Sequence, residues 1–151
     1  MVSAAAIVCD LSGSMMECGK RFIMRTVLRT ISQYYLMLNP DADFRLFSWQ
    51  DTIMKQDWSL GDDLPDAFMN CSGTSNVGRL VQAFPSNTDL PIMILSDGYW
   101  DDSESQFKTW AGSFSEGAIR IVLLGCDAKD PFAPYMYKAE DLLAALEGFG
   151  G

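Results

Sequence analysis

The sequence predicts an α/β domain: a doubly wound, mainly parallel sheet with helices on both faces and one antiparallel edge hairpin. Three observations carry this reading. Ala4–Cys9, Pro91–Ser96 and Ala118–Leu124 are apolar runs in which Arg120 is the one charge, as suits strands buried on both faces of a parallel sheet. Segments with helical period alternate with these runs, the pattern of crossover connections. The first run passes directly into Asp10-Leu11-Ser12-Gly13-Ser14. Such a polar loop sits at a strand's carboxyl end, where open α/β sheets bind their ligands.

In chain order, small and β-branched residues carry the first strand up to Asp10. Lys20 to Leu38 follows as a long helix. Met24, Leu28, Ile31, Tyr35 and Leu38 recur at spacings of four and three as one apolar stripe. Arg21, Arg25 and Arg29 recur every four residues on another face, read either as a solvated face or as a basic docking stripe. Asn39-Pro40-Asp41 stops the helix. Asp43 to Trp49 is an aromatic-rich strand, Gln50-Asp51 a tight turn, and Thr52 to Trp58 a shorter strand completing a hairpin. Lys55 and Asp57 supply the charges expected of an edge.

Leu64 to Asn70 reads as a short helix. Ser75 or Asn76 caps a helix from Val77 to Phe84, and Pro91 to Ser96 is the strand ahead of Asp97. Ser103 to Phe114 is a helix capped by Asp102 or Ser103, and Ala118 to Leu124 a further strand. Gly125 to Pro134 is a long acidic loop, with no strand found after Leu124. Ala139 to Phe149 forms the final helix, with Leu142, Leu143 and Leu146 on one face. The tail Gly148 to Gly151 is expected to fray, its glycines read as a helix ending. There is no internal repeat and no second domain, so residues 1–151 are read as one unit.

With 151 residues, the chain is long enough for a sizeable core. Its 48% hydrophobic and 21% charged residues suit a soluble globular protein. No apolar run approaches the roughly 20 residues of a membrane span, and the first run is too short and lacks the basic flank of a signal peptide. The expected location is cytoplasmic, and no membrane partner is expected. Cys9, Cys18, Cys71 and Cys126 include no CxxC pair, so they read as reduced thiols rather than a zinc site. The net charge of −9 and pI of 4.3 argue against nucleic acid as a partner. They suit cation binding and a basic partner surface. The chain has no histidine, which removes Ser-His and Cys-His nucleophilic catalysis.

Asp10, Ser12 and Ser14 offer a carboxylate and two hydroxyls within five residues, all oxygen donors of the kind hard cations prefer. Gly13 lets the backbone turn between the serines. Two later pieces complete a pattern: Gly73-Thr74 in a loop that opens a helix, and Asp97-Gly98 after the strand PIMILS. In this combination and order the chain resembles the von Willebrand factor A family at its metal-ion-dependent adhesion site, over most of its length. The resemblance implies a Rossmann-like fold that binds Mg²⁺, with Mn²⁺ or Ca²⁺ as alternatives. Ser12, Ser14 and Thr74 would bind the ion through hydroxyls, and Asp10 and Asp97 would act through waters. Neutral hydroxyls leave most of the ion's charge uncompensated, so a partner's Asp or Glu can take an exchangeable water's place.

The expected role is therefore protein–protein assembly without catalysis. Within the family, intracellular members work beside MoxR-type AAA+ ATPases or in other multiprotein complexes. Tyr99 and Trp100, an apolar pair in a polar loop, are candidate partner-binding residues, with packing under that loop as the other reading. Asp101 and Asp102 read as rim or capping residues.

Three other readings were weighed. Asp10 could be a phosphoryl-accepting nucleophile, as in haloacid-dehalogenase-like phosphatases, with Asp97 and Asp101 as a Mg²⁺ pair. That chemistry needs an acid two residues later, and Ser12 stands there. Gly13 and Gly19-Lys20 do not make a phosphate loop, because the spacing is long and Arg21 replaces the Ser/Thr. A structural subunit with a vestigial metal site is the remaining alternative.

Overall fold

The computed structural model describes residues 4–86, 90–100 and 103–149. Six strands form one sheet: β1 Ala4–Asp10, β2 Asp43–Trp49, β3 Ile53–Lys55, β4 Ile92–Ser96, β5 Ile119–Leu123 and β6 Met136–Lys138. Their order is β3-β2-β1-β4-β5-β6. Every neighbouring pair is parallel except β2 with β3, which is antiparallel. Four α-helices accompany them: α1 Lys20–Leu38, α2 Val77–Ala83, α3 Glu104–Gly112 and α4 Leu142–Leu146.

The doubly wound, mainly parallel sheet with one antiparallel edge strand is thus the architecture observed. Strand alternation divides the core in two. Ala5, Ile7, Cys9, Met93 and Leu95 face one side and pack with Met24, Leu28 and Ile31 of α1 and Leu146 of α4. Ala6, Val8, Ile92 and Ile94 face the other side, with Val77 and Leu80 of α2 and Phe107 and Trp110 of α3. This is the period-two pattern of a strand buried on both faces.

Several elements differ from the sequence reading. The α1 stripe is buried from Met24 to Tyr35, but Leu38 is exposed, because the helix outruns the sheet edge it covers. The segment read as a helix over 64–70 is a 3-10 turn, Asp66–Met69, entered through Pro65. The second hairpin strand stops at Lys55 rather than Trp58, whose indole instead bonds to the Asp62 carbonyl at 3.0 Å. The final helix begins with a 3-10 turn, Ala139–Asp141.

A strand does follow Leu124. β6 pairs with β5 through Ile121↔Met136, Val122↔Tyr137 and Leu123↔Lys138. Three residues at a sheet edge are too few to show a period of two, so only tertiary pairing reveals the strand. The tail also differs, because Phe149 is buried against Phe44, with ring centroids 6.3 Å apart. Gly150 and Gly151, the rest of the stretch expected to fray, lie outside the described residues. So do Asp101 and Asp102.

The arginine row is neither purely solvated nor free for docking. Arg21 donates to the Met69 carbonyl at 2.9 Å. Arg25 and Arg29 both reach Asp63, at 3.6 and 3.1 Å. The row therefore holds the 60s loop against α1, with surface pairs that contribute modestly.

The C-terminal segment is tied down by Tyr35, whose hydroxyl lies 3.0 Å from the Leu146 carbonyl and 3.2 Å from that of Phe149. Tyr35 is buried, so losing the hydroxyl strands buried acceptors. Tyr35→Phe is expected to lower stability by about 1 kcal/mol. Urea unfolding followed by tryptophan fluorescence checks this, and an unchanged midpoint would show that the tail carries no stability.

Candidate metal centre

The candidate site lies where the strand order reverses. β1 ends at Asp10 between β2 and β4, so the loops after these three strands meet at one crevice. Main-chain bonds tie the loop after β1 to the end of β2 and to residues 72–73 ahead of α2. Leu11 N–H donates to the Trp49 carbonyl, Gly13 N–H to the Gly73 carbonyl and Ser72 N–H to the Leu11 carbonyl, each at 2.9 Å. Gln50 adds a side-chain clamp, its amide nitrogen reaching the Leu11 and Ser72 carbonyls at 3.1 and 3.0 Å. Sequence reasoning saw Gln50 only as a turn residue, since both its partners come from other loops.

These bonds set the serine loop beside the Gly73-Thr74 segment. Ser12 is buried, Ser14 half-buried and Thr74 exposed. The Ser12 and Ser14 hydroxyl oxygens stand 3.3 Å apart. Adjacent ligands at about 2.1 Å from an octahedral Mg²⁺ would be about 3 Å apart, so this pair fits such an ion. Thr74 turns its hydroxyl toward Asp51 Oδ1 at 3.4 Å. Beside it, the buried Ser75 hydroxyl makes no hydrogen bond among the described residues. Asn76, rather than Ser75, caps α2 by accepting from Arg79 N–H at 3.1 Å.

Asp10 and Asp97 are both fully buried and are satisfied by different means. Asp10 Oδ1 accepts from Ser12 N–H at 2.9 Å, and Oδ2 accepts from the Ser96 hydroxyl at 2.6 Å. The direction of the second bond follows from its neighbours. Ser96 Oγ also accepts from Gly98 N–H and from Trp100 Nε1–H, each at 3.1 Å. Both its lone pairs are then used, leaving its single proton for Asp10. Burial pushes the Asp10 carboxyl up to about 6, with Asp97 nearby adding to the rise, while the bonds from Ser96 and Ser12 oppose it.

Asp97 takes an ammonium. Lys20 Nζ lies 2.9 Å from Asp97 Oδ2, and Tyr99 N–H donates to Asp97 Oδ1 at 3.2 Å. The hydroxyl pair therefore fits a small hard cation, while the Asp97 corner already holds a cation of the chain's own. Ser96 and Lys20 are the functional positions that the sequence reading missed. Each looked ordinary, a serine closing a strand and a lysine opening a helix.

The candidate partner-binding pair divides. Tyr99 is 48% exposed, and its hydroxyl donates to the Asp127 carbonyl at 2.8 Å. Trp100 is 3% exposed and stacks on Phe107 with centroids 4.2 Å apart. Its expected role as an exposed anchor is corrected: the indole packs under the loop and holds Ser96.

Ser96→Ala removes a donor from Asp10 and an acceptor from two N–H groups. It is expected to cost about 1–3 kcal/mol. The loss should also grow with pH. A buried acid whose folded pKa, about 6, exceeds its unfolded value of 3.8 loses stability as pH rises between the two. Removing a bond to the charged form raises the folded value further and extends that window upward. Denaturant unfolding at pH 5 and pH 7 in EDTA checks this, and a pH-independent difference would contradict the assigned bond.

No sequence-family model matches the chain, and no curated protein matches it. Solved structures do resemble it. The SpRpn10 VWA domain is 14% identical, with 95% of this chain and 94% of that one covered and a TM-score of 0.56. Proximal thread matrix protein 1 from the mussel byssus, in a structure with a zinc-occupied MIDAS motif, is 13% identical at a TM-score of 0.53. There the match covers 97% of this chain and 45% of the mussel protein. A von Willebrand factor type A protein from Catenulispora acidiphila is 18% identical at a TM-score of 0.49, with 81% of this chain and 32% of that one covered. The chain thus spans under half the length of two of these proteins and nearly all of the third. At such low identity the likeness is one of fold, and the fold of this chain is that of a von Willebrand factor A-like α/β domain.

Proposed function

We propose that this domain is a protein-interaction module whose binding face is the loop cluster after β1, β2 and β4. In this reading Ser12, Ser14 and Thr74 hold a Mg²⁺ ion, and Asp10 sets the serine loop in place from below. A partner's Asp or Glu completes the ion's coordination. When bound, the ion supplies a positive point on an otherwise acidic surface, and with it orientation and charge complementarity. The observation that carries this reading is the serine pair at 3.3 Å in a loop tied by main-chain bonds to the Gly73-Thr74 loop. Tyr99, exposed beside the crevice, adds an amphipathic ring of the kind that interfaces favour.

We further propose that the domain is not an enzyme. Ser12 stands where a phosphatase acid would be needed. The Asp10 oxygens face a backbone N–H and the Ser96 hydroxyl rather than open space for a phosphoryl group. The vestigial-site reading draws support from one observation, the Lys20 ammonium on Asp97. It predicts binding indifferent to metal.

The test is capture of a partner by immobilised domain in Mg²⁺ or in EDTA. The captured protein is expected to be released by EDTA, restored by Mg²⁺ and lost with Thr74→Ala. Arg25→Ala with Arg29→Ala should leave it bound. A complex that survives both EDTA and Thr74→Ala would favour the metal-free reading instead.

A further inference from the structure

We propose that Lys20 is a built-in cation of this site. It organises the crevice without a metal and makes the hydroxyl cluster a weak site for a divalent ion. The inference rests on the reading of Ser12 and Ser14 as ion ligands, and deepens it.

An ammonium has three N–H donors and no acceptor. Lys20 Nζ meets three groups from three loops: it donates to Asp97 Oδ2 at 2.9 Å, to Asp127 Oδ2 at 3.2 Å and to the Ser14 carbonyl at 3.2 Å. The donors are therefore used up, each by an oxygen from a different strand end. Lys20 is 1% exposed and Asp97 fully buried, so the Lys20–Asp97 bond is closed to water. Burial works against the charge, yet the bonds to Asp97 and Asp127 outweigh it and hold the lysine above its ordinary pKa. Asp127, in turn, is held below the usual carboxylate range by Lys20.

The backbone is shaped to deliver this side chain. Cys18 and Gly19, immediately before it, both adopt left-handed conformations, with φ of 54° and 67°. Cys18 is the one non-glycine residue with positive φ among the described residues, a conformation that costs energy for a side chain with a Cβ. The turn starts α1 at Lys20 itself. On the far side, Gly125 makes room: a Cβ there would lie 2.8 Å from Lys20 Cε. A strained turn, an absent side chain and three acceptors all serve one ammonium.

The consequence for a metal is electrostatic. The ammonium grips the main chain of Ser14 and neutralises Asp97 in a dry crevice. A dication placed on the Ser12 and Ser14 hydroxyls competes with an ammonium already seated on the Ser14 carbonyl and on Asp97. It also finds Asp97's charge already matched. The ion should therefore bind weakly alone and more strongly together with a partner carboxylate, each favouring the other.

The experiment titrates Mn²⁺, and separately Mg²⁺, into the full chain by calorimetry, comparing wild type, Lys20→Met and Lys20→Gln. Wild type is expected to bind weakly, and the neutral variants about tenfold tighter or more. Adding Ser12→Ala and Ser14→Ala to the variants should abolish that gain, which places the ion on the hydroxyls. Variants that bind no better than a wild type that does bind would overturn the proposal and leave the ion site standing. If neither wild type nor variants bind Mn²⁺ even at high millimolar concentration, the ion site itself fails, and the proposal with it. Should the variants fail to fold, the melting temperature of wild type in EDTA decides. Weak Mn²⁺ binding by wild type, together with a value matching that in Mg²⁺ to within about a degree, supports a crevice organised by Lys20. A large drop in EDTA, meaning that the native state depends on bound metal, overturns it.

Discussion

Two carboxylates with no exposed surface, Asp10 and Asp97, stand at the ends of neighbouring central strands. Burying one charge is costly, and burying two of the same sign side by side is worse. Much of the crevice follows from how each is satisfied. Asp10 receives only neutral donors, a backbone N–H and the Ser96 hydroxyl. Asp97 receives a full positive charge from Lys20. The start of α1 lies against the loop after β5. There Asp127 and Gly125 complete the ammonium's surroundings.

The sheet topology makes this arrangement possible and confines it to one end. Parallel strands place all their carboxyl ends together, and the reversal of order between β2-β1 and β4-β5 opens the crevice there. The apolar layers on either face keep β1 and β4 rigid, so the loops beyond them need few bonds to be held in register. The bonds used are mostly main-chain ones, including Gly13 N–H to Gly73 O. They position the serine hydroxyls without engaging them, so that Ser12 and Ser14 meet each other at 3.3 Å. Trp100 supports the same design from beneath, with its ring in the α3 side of the core and its N–H on Ser96.

The acidic surface and the buried ammonium act on different scales. A net charge of −9 discourages approach by most anions. The Lys20 ammonium is held between Asp97, Asp127 and the Ser14 carbonyl, so its charge acts only at short range within the crevice. The arginines of α1 stand apart from this cluster, engaged with Asp63 and the Met69 carbonyl.

Much of this was legible from sequence because it is local. β2 and α1 begin and end as the residue pattern predicts, since alternation and helical period act over neighbouring residues. Asp10, Ser12, Ser14, Thr74 and Asp97 stood out in the sequence through their resemblance to a family motif; in the structure Asp10 holds the Ser12 N–H, Ser12 stands beside Ser14 and Gly13 bonds to Gly73, while Asp97 turns to Lys20. The remainder was decided by tertiary structure. β6 is a strand only because β5 offers it an edge, and Leu38 is exposed only because the sheet ends before α1 does. Trp100 turned inward because Phe107 and Ser96 were there to receive it. Above all, Lys20 lies 77 residues from Asp97 and 107 from Asp127. A lysine at a helix start ordinarily points to water, and no pattern along the chain shows that folding will enclose its charge among three oxygens.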